Sequence, residues 1–145
     1  MPQEFILQPG TWIGEGKITF SASPDFIKFY TKWQIAQTQP GQLLAVQTVE
    51  MQNVEDHVIN YFTLTDIKEA SFSIAVESAT IGKVDGTGLI AERTIAWEFR
   101  GNPSFEGFEV YERQENGDYS FHAEYASTDQ FRTLVDGLIW KKGEQ

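Results

Sequence analysis

The sequence predicts an all-β fold, an antiparallel meander of nine or ten strands closed into a small barrel. Three observations carry this reading. Period-two alternation of apolar and polar residues runs through most of the chain, and the connections between strand-like runs are short. The opening stretch Gly10-Thr11-Trp12-Ile13-Gly14-Glu15-Gly16-Lys17-Ile18-Thr19-Phe20 also sets Trp12, Gly14, Gly16, Ile18 and Phe20 on one face. Two positions without side chains let that strand bend and approach its neighbours, while Trp12 plugs one end of the barrel. A meander with one apolar face per strand hides its edges best by closing.

Strands are expected near 11–21, 25–38, 42–52, 57–65, 71–83, 88–100, 105–114, 118–126 and 136–142. In the second, Ile27, Phe29, Trp33 and Ile35 form the core series, and Phe26, Lys28, Tyr30 and Lys32 the solvated one. Both faces of the stretch 42–65 are mixed, so Gln47 and Asn60 receive no role. Asp85-Gly86 reads as a two-residue hairpin turn, which sets Phe72 opposite Phe99, Ile74 opposite Trp97, Val76 opposite Ile95 and Ser78 opposite Arg93 on an inner face. Asn116-Gly117 reads the same way and sets Phe108 opposite Tyr125, Val110 opposite Ala123 and Glu112 opposite Phe121, again inward. Its reverse face carries Glu109, Tyr111, Arg113, Ser120, His122 and Glu124 toward solvent. Ser127-Thr128-Asp129-Gln130 and the following Phe131–Val135 read as a short capped helix before the last strand, or as an extra strand.

At 145 residues the chain suits one domain, spanning 1–145, with one core. Eleven Phe, five Tyr and four Trp favour strands and supply flat apolar walls. The formal net charge of −10 disfavours nucleic acid and anionic lipid as partners. No run approaches the ~20 apolar residues of a membrane-spanning helix, and Met1-Pro2-Gln3-Glu4 lacks the basic start of a secretory signal. The expectation is a soluble, cytoplasmic protein. With no cysteine, disulfides, thiolate metal sites and cysteine nucleophiles are ruled out.

The string Gly10-Thr11-Trp12-Ile13-Gly14-Glu15-Gly16 resembles the GxW first strand of the calycin group, the lipocalins, fatty-acid-binding proteins and their relatives, and looks most like the opening of nitrobindin-type barrels. The resemblance implies a calycin-like (lipocalin-like) barrel. It also brings haem into question, since nitrobindins hold haem through a histidine near the C-terminus. This chain has only His57 and His122, so haem is disfavoured and no cofactor is expected. Ser21-Ala22-Ser23-Pro24 leaves no room for the helical lid of fatty-acid-binding proteins.

The candidate chemistry rests on two charges placed on inner faces, Arg93 and Glu112. A buried charge without a partner costs several kcal/mol, so the two form a structural ion pair, or Arg93 receives an anionic ligand group with Glu112 orienting its guanidinium. Ser78, Trp97, Phe108, Phe121, Tyr125 and Trp33 complete the expected ligand-binding set. His122 with Glu109 and Glu124 has the composition of a divalent metal site, but an outward-facing solvated patch is the stronger reading, and no metal is expected. No nucleophile elbow, phosphate loop or HExxH motif is present. Three functions remain: a barrel binding a small hydrophobic molecule, with or without an acidic group; an isomerase or lyase using Glu112 in the same cavity; and a structural or interaction module with a filled core.

Overall fold

The computed structural model describes residues 3–21, 23–79, 81–102, 105–126 and 132–143. Among them ten strands form a closed antiparallel barrel: β1 (Gly10–Phe20), β2 (Phe26–Gln39), β3 (Gln42–Met51), β4 (Val58–Thr65), β5 (Ser71–Ser78), β6 (Gly82–Ile90), β7 (Thr94–Phe99), β8 (Glu106–Arg113), β9 (Tyr119–Ala126) and β10 (Arg132–Lys141). Each strand pairs with its neighbour in sequence, and β1 closes the ring against β10. There is no helix among the described residues. Arg132–Val135, expected as part of a helix, belong to β10; the rest of that expected helix, 127–131, lies outside the described residues.

The first two strands follow the sequence pattern. Trp12, Gly14 and Ile18 are buried on β1, and on β2 Phe29, Thr31, Trp33 and Ile35 are buried between exposed Lys28, Tyr30 and Lys32. Trp12 pairs with Trp33 across the two strands and lies at one end of the barrel, as expected.

The region 71–99 holds three strands where two were expected. Asp85 and Gly86 are not a turn: they lie inside β6, opposite Ala75 and Ile74 of β5. The chain reverses instead between Ser78 and Gly82, the latter at φ +69°, and again at Ala91–Arg93. The expected faces survive this change, since Phe72, Ile74, Val76, Ile95, Trp97 and Phe99 all point inward. Their pairing does not. Phe72 stands opposite Gly88, which in turn pairs with Trp97, so β5 and β7 send their aromatic rings over a glycine floor supplied by β6. A Cβ on Gly88 would overlap the Phe72 ring, and one on Gly86 would meet the Glu98 carbonyl and Phe99. Barrel sterics thus override the local turn signal.

The second expected register is wrong by one residue. Asn116-Gly117 does lie in a hairpin connection, but only Gly117 has positive φ, at +93°, whereas a two-residue type I′ loop requires it at both positions. The Gly117 amide donates to the Gln114 carbonyl and the Gln114 amide to the Asp118 carbonyl, the pattern of a type I turn followed by a glycine bulge. The extra residue pairs Arg113 with Tyr119 and Tyr111 with Phe121. A one-residue slip turns β8 over. Glu109 and Tyr111 therefore face inward, while Phe108, Val110 and Glu112 face out; β9 keeps the expected faces, with Phe121 and Ala123 inside and His122 outside.

The interior is divided along its axis. At the end marked by Trp12, the segment before β1 folds into the barrel and places Phe5 fully buried among Trp12, Trp33, Trp97, Tyr111 and Tyr119, with ring centroids 4.6–6.4 Å away. Gln3 holds this plug in place: its side-chain amide donates to the Ala91 and Glu92 carbonyls at 2.8 and 2.9 Å, and its oxygen accepts from the Tyr119 hydroxyl at 2.6 Å. Ile6, beside Phe5, is buried at φ +62°, a backbone state costing about 1–3 kcal/mol for a non-glycine residue and held here by packing.

Candidate functional site

Beyond the plug, toward the opposite end of the barrel, lies a cavity of about 320 Å³. Its walls are mainly apolar, including Ile18, Phe29, Val49, Phe62, Val76 and Phe121. The stacked pair Phe105 and Tyr125, 5.0 Å apart at 26°, stands on one side of it. Tyr111 forms the partition: its ring packs on Phe5, stacks with Trp97 and Phe121, and its hydroxyl reaches into the cavity wall.

Besides the hydroxyls of Ser78 and Thr133, two polar features interrupt the apolar lining. The first is Glu109 of β8, only 7% exposed and without a cationic partner among the described residues. One carboxyl oxygen accepts from the Tyr111 hydroxyl at 2.6 Å and the other from the Tyr125 hydroxyl. The Trp97 indole also favours the charged form, although its N–H makes no hydrogen bond. Burial outweighs these three groups and raises the Glu109 pKa above the ordinary 4.5. Burial, then the adjacent carboxyl, pushes both tyrosine hydroxyls well above their usual range, so they remain donors.

The second polar group is a side-chain relay on β2, β3 and β4. The Asn60 amide donates to Gln47 at 3.0 Å, and the Gln47 amide donates to the Thr31 hydroxyl at 3.3 Å. Gln47 and Asn60 both line the cavity. Strands β3 and β8 are five places apart in either direction around the ring of ten, so the relay and Glu109 stand on opposite walls. No lysine, arginine or histidine appears among the described lining residues.

Of the expected ligand-binding residues, Ser78, Phe121 and Tyr125 line this cavity. Trp33 and Trp97 are buried beneath it in the aromatic plug. Phe108 is outside, against the His122 ring at 6.1 Å, because β8 is turned over. Arg93 and Glu112 are both exposed; Arg93 sits in the β6–β7 turn at the plugged end, and the two border an open surface depression without forming an ion pair. The expected inner Arg93–Glu112 pair is therefore replaced by Glu109 with two phenols. A misread turn hid Glu109. The alternate series Glu109, Tyr111 and Arg113 looks more polar than Phe108 and Val110, so hydrophobicity alone gave no warning.

His122 projects from the outer face, as expected, but its partners are Asp136 at 2.6 Å on Nδ1 and Glu124 at 2.8 Å on Nε2, not Glu109. Two carboxylates as acceptors require both ring nitrogens to donate, which raises the His122 pKa. His57 is exposed near Glu50, 3.2 Å away.

No family model matches this sequence, and no curated protein matches it. Among solved structures, the chain is similar to the S-type phycobiliprotein lyase CPES from Guillardia theta, with a TM-score of 0.73 at 8% identity, over 94% of this chain and 89% of that one. That likeness is one of fold: both chains share the closed antiparallel β-barrel architecture. Two looser matches are EF1p2_mFAP2b bound to DFHBI, with a TM-score of 0.43 at 15% identity over 90% of each chain, and the monomer form of the M. tuberculosis PknI sensor domain, 0.38 at 15% over 94% of this chain and 88% of that one.

Proposed function

We propose that this barrel binds a small, largely apolar molecule in the cavity at its unplugged end. The observation that carries the reading is the cavity itself, about 320 Å³ of mainly apolar wall with a few convergent polar groups. That volume is at the lower end of the roughly 300–1,000 Å³ typical of small-molecule sites. It favours a binding role over a structural module with a filled core, because the aromatic plug fills only one end. Phe121, Tyr125 and Ser78 are the expected residues that contact ligand; Glu109, Gln47 and Asn60 join them. An acidic ligand group held by Arg93 has no support, since Arg93 is outside the barrel.

Native mass spectrometry of freshly purified protein, followed by displacement of an environment-sensitive apolar dye, tests this reading. Ala123 lines the cavity with 2% exposure, so Ala123→Trp should fill the space and abolish dye binding without opening the barrel. Equal dye binding by parent and variant would overturn the proposal.

A second reading follows from one feature of Glu109. A buried carboxyl with a raised pKa and no cationic partner among the described residues is suited to accept or donate a proton above the ordinary carboxyl range, the role expected of Glu112 from the sequence. The structural neighbour named as a lyase supports this at the level of fold analogy only. Solvent deuterium incorporation into a bound apolar ketone, lost in Glu109→Gln, would support proton transfer; no incorporation would leave binding as the function.

A further inference from the structure

Resting on that binding role, we infer that the cavity selects ligands bearing a protonated amine or similar compact cationic donor, which docks on the Glu109 carboxyl. A carboxylate offers about four acceptor positions, and the Tyr111 and Tyr125 hydroxyls take one on each oxygen, leaving the others for a ligand. Both phenols are donors to Glu109 and supply no positive charge. Every other described lining residue is neutral, so the barrel carries one acidic group and nothing among them to neutralise it. Among the described residues, no ion pair reaches it from outside.

A buried carboxyl in these surroundings has two ways to avoid an uncompensated charge: it keeps its proton, or it receives a cation. A bound ammonium donor provides the second, with charge-assisted hydrogen bonds in a site shielded from water. An anionic ligand would face the carboxyl and find no cation among the described lining residues. The relay of Thr31, Gln47 and Asn60 on the opposite wall is neutral and offers hydrogen bonds to a second polar group. The ligand class is thus a small apolar amine, with an uncharged hydrogen-bonding group at its far side allowed but not required.

The pH behaviour follows from the groups facing Glu109. These are Tyr111 from its own strand, Tyr125 from β9 and the Trp97 indole from β7; neither tyrosine ionises in the working range, because both are raised. Proton and amine therefore compete for one carboxyl. Amine affinity should fall as pH drops below the raised Glu109 value, while affinity for a neutral analogue stays level.

The test compares 2-phenylethylamine, 2-phenylethanol and phenylacetate by isothermal calorimetry on the full chain, for parent, Glu109→Gln and Tyr125→Phe. The expected order in the parent is amine over alcohol over acid, with the amine about tenfold or more tighter than the alcohol, the scale of one charge-assisted contact. Glu109→Gln, which keeps the shape, should bind amine and alcohol alike. Tyr125→Phe should retain the amine preference, because it removes a donor to Glu109 and not the charge. Alcohol binding with no amine preference in the parent would overturn the amine inference and leave the cavity-binding role standing. Failure of all three to bind would overturn both. If Glu109→Gln does not fold, the pH titration of the parent decides: amine and alcohol affinities with the same pH dependence would overturn the inference.

Discussion

Glu109 governs the behaviour of the molecule at the residue scale. Its pKa is raised in the folded state, so the native protein binds more protons than the unfolded chain between the ordinary carboxyl value of 4.5 and the raised one. The stability that this carboxyl contributes is then fullest below 4.5 and is lost as pH climbs through the folded value. Thermal denaturation followed against pH should show this decline in the parent and a flatter profile in Glu109→Gln; identical slopes would refute a buried, titrating carboxyl. His122 has the same sign at a higher range. Its imidazolium is held by Asp136 and Glu124, so the stabilisation is present below 6.5 and lost as pH rises through the raised value. The cluster is half-exposed, and solvent screening keeps its effect small. Proton NMR titration of His122 should give a pKa above 6.5 that returns toward it in Asp136→Asn.

Strands and turns show which parts of the fold were legible in the sequence and which were not. Face assignment succeeded wherever large aromatics alternated with charges, as along β2, where Phe29, Trp33 and Ile35 are buried between exposed polar residues. Register failed where it rested on a dipeptide. Asp85-Gly86 matches a turn signal, yet Gly86 and Gly88 are small because rings from β5 and β7 occupy the space above them. Asn116-Gly117 is a true turn, but its glycine bulge adds the residue that exchanges Glu112 for Glu109 inside the barrel. Adding a Cβ at Gly88 forces Phe72 to move, so Gly88→Ala should cost roughly 1–3 kcal/mol, the range for overpacking a tight core. Gly117 has open space around it and only the positive φ to maintain. Gly117→Asn should therefore be nearly neutral, since asparagine tolerates that backbone region. Urea denaturation of both variants checks the contrast, and equal losses would contradict the distinction between a packing glycine and a turn glycine.

Across the whole molecule, the barrel is a vessel with one end sealed by its own N-terminal segment. Phe5 gave no periodic signal, because it precedes the first strand and its burial depends on the chain folding back into the interior. The plug does more than fill space. Phe5 rests against Tyr111, whose hydroxyl holds Glu109, so the sealed end supports the floor of the cavity. Phe5→Ala should cost about 3–5 kcal/mol, as expected for removing a large buried ring. It should also loosen Tyr111 and weaken ligand binding at the far side of the partition. Phe5→Leu, which keeps most of the apolar volume, should recover much of both losses. Thermal stability and dye affinity measured together test the coupling: a Phe5→Ala variant that loses stability yet binds with parental affinity would show that plug and cavity are independent, and that Tyr111 is positioned by the strands alone.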